Sequence, residues 1–121
     1  YGSLFNDELH GGPGQDNIYG DQGNDTILGE GGSDNLYGEE GDDKISGGGG
    51  SDNIYGNSGN DRLSGSAGSD KIYGGDGHDI LKGDGGDDFL NGEKGNDKLY
   101  GGKGYNRLVG GGGKNKFFRS R

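Results

Sequence analysis

Aspartate recurs at every ninth residue over most of this chain: Asp7, Asp16, Asp25, Asp34, Asp43, Asp52, Asp61, Asp70, Asp79, Asp88 and Asp97. Carboxylates held in one phase and flanked by glycine are hard oxygen donors, and glycine-rich loops add backbone carbonyls to the set. With 0 Cys and 2 His, a metal that prefers sulfur or imidazole has almost nothing to bind. The chemistry indicated is the holding of a hard divalent cation. A flexible, carbonyl-rich loop suits calcium better than magnesium, which demands a tight octahedron. The bland reading, that these acids only solvate a surface, does not account for the unbroken phase.

No nucleophile, base and acid can be assembled that the repeat does not already explain, so the chain reads as a non-enzyme. His10 and His78 are isolated loop or strand-end residues, expected at the surface. Asn24-Asp25-Thr26 fits a glycosylation sequon. It lies inside a candidate cation loop and is read as chance.

The aspartates belong to a nonapeptide, Gly-x-x-Gly-x-Asp-x-Φ-x, that runs thirteen times over residues 2–118 without insertion and is followed by a basic tail at 119–121. Position one is glycine from Gly2 to Gly110. Position eight is always apolar: Leu9, Ile18, Ile27, Leu36, Ile45, Ile54, Leu63, Ile72, Leu81, Leu90, Leu99, Leu108 and Phe117. Glycines three apart allow positive φ and close backbone approach, as a tight loop needs. Thr26-Ile27-Leu28 then suits a short strand, with Ile27 facing one way and its neighbours the other. Each unit therefore reads as a six-residue loop followed by a three-residue strand.

One strand per nine residues implies two strands per 18-residue turn, facing each other across a thin core: an all-β solenoid of short stacked strands. Two lanes of the sequence support the 18-residue period. Position five alternates through Asn24, Ser33, Asp42, Ser51, Asn60 and Ser69, and tyrosine recurs at Tyr19, Tyr37, Tyr55 and Tyr73. Thirteen units make 6.5 turns, about 30 Å long at about 4.8 Å per rung.

In that geometry Asp7, Asp25, Asp43, Asp61, Asp79 and Asp97 share one edge, and Asp16, Asp34, Asp52, Asp70 and Asp88 the other. Like charges about 4.8 Å apart repel by roughly 1 kcal/mol per pair even in water. No matching column of Lys or Arg offsets this, whereas a divalent cation between successive carboxylates would turn repulsion into attraction. Same-edge aspartate pairs number five and four, hence about nine calcium ions. Asn106 and Asn115 replace aspartate in the last two units, so bridges from Asp88 to Asn106 and from Asp97 to Asn115 are expected to be weak or empty.

Composition makes the cation a condition of folding. Leu, Ile, Val and Phe together are 20 of 121 residues and the net charge is −9, which is the profile of a disordered chain. A flexible linker would have no reason to keep thirteen apolar residues in register. Glycine does not recur at every third residue and Pro13 is the only proline, which excludes collagen; the glycine content excludes helix. The expectation is a chain disordered without calcium and cooperatively folded with it. No apolar run approaches membrane-spanning length, and the first residues do not read as a signal sequence. The absence of Met suggests a piece of a longer protein, and the chain reads as a monomeric module of one.

At Gly74-Gly75-Asp76-Gly77-His78-Asp79-Ile80-Leu81-Lys82 and Gly47-Gly48-Gly49-Gly50-Ser51-Asp52-Asn53-Ile54-Tyr55 the repeat is well formed. It resembles the repeat-in-toxin nonapeptide of the hemolysin-type calcium-binding family over nearly the whole chain. That resemblance implies a right-handed parallel β-roll with calcium held between loops by aspartate carboxylates and loop carbonyls. The loop backbone it points to includes Gly14, Gly23, Gly32, Gly41, Gly50, Gly59, Gly68, Gly77, Gly86 and Gly95. It also implies a secreted or cell-surface bacterial protein, such as a pore-forming toxin, exported unfolded through a one-step (type I) pathway and folded outside. The repeat does not say which activity the parent carries. Position two departs from glycine in most units, as at Asp21, Glu30 and Asn57. Phe5 replaces the fourth-position glycine of unit one, which puts the first loop in doubt.

The tyrosine lane is expected to face outward and stabilise its sheet; the alternative is a polysaccharide-binding or adhesive strip. Residues 1–43 carry eleven acids and no Lys or Arg, whereas residues 94–121 carry eight basic side chains and one acid. The basic end reads as a taper against stacking of one roll on another, or as a contact for an anionic membrane or polysaccharide. Phe117, Phe118, Tyr1 and Phe5 read as end caps. The acidic balance disfavours nucleic acid as a partner.

Overall fold

The computed structural model describes residues 1–119. Of the basic tail, Ser120 and Arg121 lie outside the described residues. Thirteen three-residue strands follow one another with no helix among the described residues: β1 Glu8–His10, β2 Asn17–Tyr19, β3 Thr26–Leu28, β4 Asn35–Tyr37, β5 Lys44–Ser46, β6 Asn53–Tyr55, β7 Arg62–Ser64, β8 Lys71–Tyr73, β9 Ile80–Lys82, β10 Phe89–Asn91, β11 Lys98–Tyr100, β12 Arg107–Val109 and β13 Lys116–Phe118. The odd strands form one seven-stranded parallel sheet and the even strands a six-stranded one. Partners lie 18 residues apart in register, as in Leu9↔Ile27 and Ile18↔Leu36. The result is a parallel β-solenoid of about six turns.

The middle residue of each strand points between the sheets because side chains alternate along a strand. From Ile18 to Leu99 these residues form one buried core. Leu9 and Leu108 pack against it half-buried, and Phe117 is 49% exposed. The apolar column thus emerges at both ends, where a residue has a neighbouring coil on one side only. The aromatic residues read as caps do not cover those ends: Tyr1 and Phe5 are exposed, as is Phe118. Tyr1 stacks on Tyr19 and Phe118 on Tyr100, so these two lengthen aromatic columns instead.

Each loop from unit two onward turns through two residues with positive φ, at positions two and four. Position four is always glycine there, for example Gly41 at φ 106°. Position two takes the same hand with Asp21, Glu30, Glu39 or Asn57, at φ 68–73°. The turn therefore demands a backbone shape, and acidic or small side chains tolerate it at a cost of roughly 1–2 kcal/mol each. In unit one neither Ser3 nor Phe5 has positive φ, and the first loop folds differently from the rest.

Backbone hydrogen bonds run from coil to coil. Position seven N–H groups reach position six carbonyls of the preceding coil (Thr26 N to Asp7 O, 2.8 Å), and position one N–H groups reach position nine carbonyls of the following one (Gly20 N to Tyr37 O, 2.8 Å). Position three N–H groups take position two carbonyls (Asp76 N to Asn57 O, 3.0 Å). Among the described residues, no hydrogen-bond donor meets the carbonyl of position one in any loop, nor that of position three before Lys103.

Candidate metal centre

The repeat turns the aspartate of each loop inward. Asp25, Asp34, Asp43, Asp52, Asp61, Asp70, Asp79, Asp88 and Asp97 are all buried, and Asp7 and Asp16 half-buried. The 18-residue spacing places them on the two expected edges. Their carboxylates, however, lie inside the coil instead of along its surface.

The two oxygens of each carboxylate have different fates. Oδ1 accepts the backbone N–H of the aspartate one turn earlier: Asp43 Oδ1 from Asp25 N at 2.8 Å, Asp61 Oδ1 from Asp43 N at 2.7 Å, Asp79 Oδ1 from Asp61 N at 2.8 Å. Oδ2 of every position-six aspartate from Asp16 to Asp97 is buried without any hydrogen-bond partner. An isolated buried carboxylate oxygen is costly, and a file of them calls for a shared counter-charge.

Glycine at position one makes room for that charge. A Cβ at Gly20 would lie 2.7 Å from Oδ2 of Asp25 and 2.8 Å from the carbonyl oxygen of Gly38 in the next coil. At Gly11 the same point is 2.7 Å from both Asp16 Oδ2 and Gly29 O. Position one does not have positive φ, so its glycine is required for space. The position-four glycines, Gly14 to Gly95 among them, serve the turn: a Cβ at Gly41 would strike the Gly23 carbonyl below it.

Electrostatics agree with an oxygen-lined cradle. Burial pushes the carboxyls of Asp61 and Asp79 up to about 8, and those of Asp43 and Asp70 to about 7. Asp52 and Asp88 rise to about 6 for the same reason. The backbone N–H on Oδ1 pulls each value down, and neighbouring carboxylates push it up. Left alone, such a group takes a proton; a cation offers the alternative.

A divalent cation fits the donor set. No group of three or more His, Cys, Asp or Glu side chains converges among the described residues. Two carboxylates from successive coils must therefore be joined by backbone carbonyls, and in the aspartate loops those of positions one, three, four and five are without donors. An all-oxygen set of carboxylate and carbonyl is calcium chemistry.

The ends depart from this pattern. Asp7 Oδ2 already accepts from Ser3 N at 2.6 Å and Ser3 Oγ at 2.9 Å. At the other end, the side-chain nitrogen of Asn106 donates to Gly102 O and Lys103 O at 3.3 Å, and that of Asn115 to Gly111 O and Gly112 O.

Position five forms a second ladder that the sequence only hinted at. On the odd edge its side chains accept N–H groups from the next coil: Asn24 Oδ1 from Asp42 N at 2.7 Å, Asp42 Oδ1 from Asn60 N at 2.8 Å, His78 Nδ1 from Asn96 N at 2.9 Å. His78 is thus one link of a structural chain. His10 lies at the surface, 2.8 Å from both Glu30 and Glu8, whose hydrogen bonds raise its pKa.

A family model described as the RTX calcium-binding nonapeptide repeat matches four times, at residues 1–36, 28–63, 55–90 and 82–117. No curated protein and no solved structure matches the chain.

Proposed function

Because the chain belongs to the RTX calcium-binding nonapeptide repeat family, we propose that it is a module that calcium folds, within a secreted bacterial protein such as a pore-forming toxin. Residues 2–118 act as one unit, a scaffold and not a catalyst. The observation that carries this reading is the file of buried, unpartnered Oδ2 atoms from Asp16 to Asp97. Each ion is held by aspartates 18 residues apart, together with loop carbonyls that lack donors, the position-one carbonyl of the next coil among them. Bound calcium neutralises both carboxylates and clamps successive coils.

Nine same-edge aspartate pairs are present in the sequence. Eight have the same arrangement, four on each edge; in the ninth, Asp7 with Asp25, Ser3 already occupies one oxygen. Where free calcium exceeds the dissociation constant about tenfold, each site adds roughly 1.4 kcal/mol. Eight such sites give about 11 kcal/mol, the whole stability of an ordinary domain. Calcium-poor cytosol would keep the chain unfolded for export, and calcium outside the cell would fold it.

Circular dichroism with calcium and after chelation tests this. The expected result is a β-signal lost on chelation and regained on adding calcium. A β-signal unchanged by chelator would refute it.

A carbohydrate strip on the tyrosine face gains no support from the geometry. Tyr19, Tyr37, Tyr55 and Tyr73 stack at 4.7–5.1 Å with ring planes 5–6° apart. Their faces cover one another, and a sugar would need a free face.

A further inference from the structure

The last loop on each edge has the shape of a calcium loop but a different chemistry at its centre. Asn106 and Asn115 stand at position six, where the earlier units have aspartate. Their backbone roles are unchanged: Asn106 Oδ1 accepts Asp88 N at 2.7 Å, and Asn115 Oδ1 accepts Asp97 N at 2.8 Å. The second atom of the side chain also keeps its place. A Cβ at Gly101 would lie 3.0 Å from Asn106 Nδ2, just as one at Gly11 would lie 2.7 Å from Asp16 Oδ2.

What changes is the sign of the contact. In the aspartate loops the second atom is a buried acceptor without a donor. In the asparagine loops it is a donor, and it reaches two carbonyls of its own loop, at positions two and three. The position-three carbonyl gains from the amide the positive partner that a cation would give it, and the position-two carbonyl gains the donor that the N–H of a following coil supplies in earlier units. A neutral N–H₂ group offers less than a divalent ion, yet it is covalently attached and always present.

We infer that the side-chain amides of Asn106 and Asn115 stand in for calcium in the last loop of each edge. The inference rests on the calcium reading above and specifies where the ion array stops. Arg119 occupies the register position of the next glycine, and its guanidinium donates to Asn106 O at 3.0 Å. Ser3 does the corresponding work at the other end, filling Oδ2 of Asp7 with an N–H and an O–H. The array of sites is therefore closed at both ends by hydrogen-bond donors of the protein.

The test moves the device into the middle of the array. Asp61→Asn should let the new amide reach the carbonyl of Ser58, which has no donor, whereas Asp61→Ala supplies nothing. Both variants and the wild type are compared by equilibrium dialysis against calcium and by circular dichroism at saturating calcium. Asp61→Asn is expected to bind fewer ions, by roughly one to two, and to keep the wild-type β-signal. Asp61→Ala is expected to lose ions and signal together. In a companion measurement, Asn106→Ala should speed amide exchange in residues 101–118 several-fold without changing the number of ions bound.

Asparagine as damaging as alanine at position 61, a full ion complement in Asp61→Asn, or unaltered exchange in Asn106→Ala would each overturn the assignment of the amides. A wild-type chain that binds no calcium would instead overturn the functional reading on which it rests.

Discussion

The backbone N–H of Asp25 donates to Oδ1 of Asp43, 18 residues further on, at 2.8 Å. One carboxylate thus fixes the preceding coil through one oxygen and leaves the other buried without a partner, the oxygen assigned to the proposed cation. Both tasks depend on the length of the side chain.

Asp43→Glu keeps the charge and adds a methylene. The longer side chain cannot hold Asp25 N and point its second oxygen into the cradle at once. Loss of the buried hydrogen bond alone costs about 1–3 kcal/mol. The variant is expected to need more calcium to fold, with its midpoint in a calcium titration shifted upward. A midpoint equal to that of the wild type would show that side-chain length is immaterial.

Two glycines separate the demand for space from general flexibility. A Cβ at Gly56 would meet Asp61 Oδ2 at 2.5 Å and Gly74 O at 2.7 Å, whereas one at Gly49 would meet nothing within 4 Å. Gly56→Ala is expected to lower the stability of the calcium form by about 1–3 kcal/mol. Gly49→Ala should fall within about 0.5 kcal/mol of the wild type. Denaturant unfolding in saturating calcium reads both, and equal effects would remove the cradle from the explanation.

Protons should stand in part for calcium. Asp43, Asp61, Asp70 and Asp79 rise from 3.8 to between about 7 and about 8 on burial in the roll. The folded form therefore binds more protons than the unfolded one. The proton-linked stability is fully present below about 4 and is lost as pH rises through 7 to 8. At pH 7 the unfolded chain carries these aspartates ionised, whereas a roll formed without calcium would hold them protonated, so lowering the pH from 8 toward 5 in the presence of chelator should restore part of the β-signal. Circular dichroism against pH in chelator reads this; a signal still absent at pH 5 would contradict the buried placement of the carboxylates.

Much of the fold was legible because a period of nine is long enough to hold one strand and one loop, and the tyrosines and position-five residues repeat at twice that period. Ile27 and Leu36 announced the core, and Tyr19 and Tyr37 announced a shared face. The direction of the aspartates was not legible, since periodicity fixes which residues align but not whether a loop side chain turns in or out. Positive φ at Glu30 and Glu39 was hidden behind residues that seldom adopt it. The change from oxygen to nitrogen at Asn106 is visible in the sequence. The role of Asn106 as a donor was not legible, since that depends on carbonyls brought close by the turn. His78 gave no signal of its place in the position-five ladder, because a ring nitrogen there does the work of an asparagine oxygen.

The alternation of odd and even strands between two sheets sets a rule for how such a chain can change length. Excising 18 consecutive residues from the interior would remove one whole coil and leave every lane continuous. Excising nine would carry all downstream residues to the opposite face, splitting the tyrosine lane between the two sides of the molecule. Viable copy number should therefore vary in steps of two units, with the single unit as the forbidden increment.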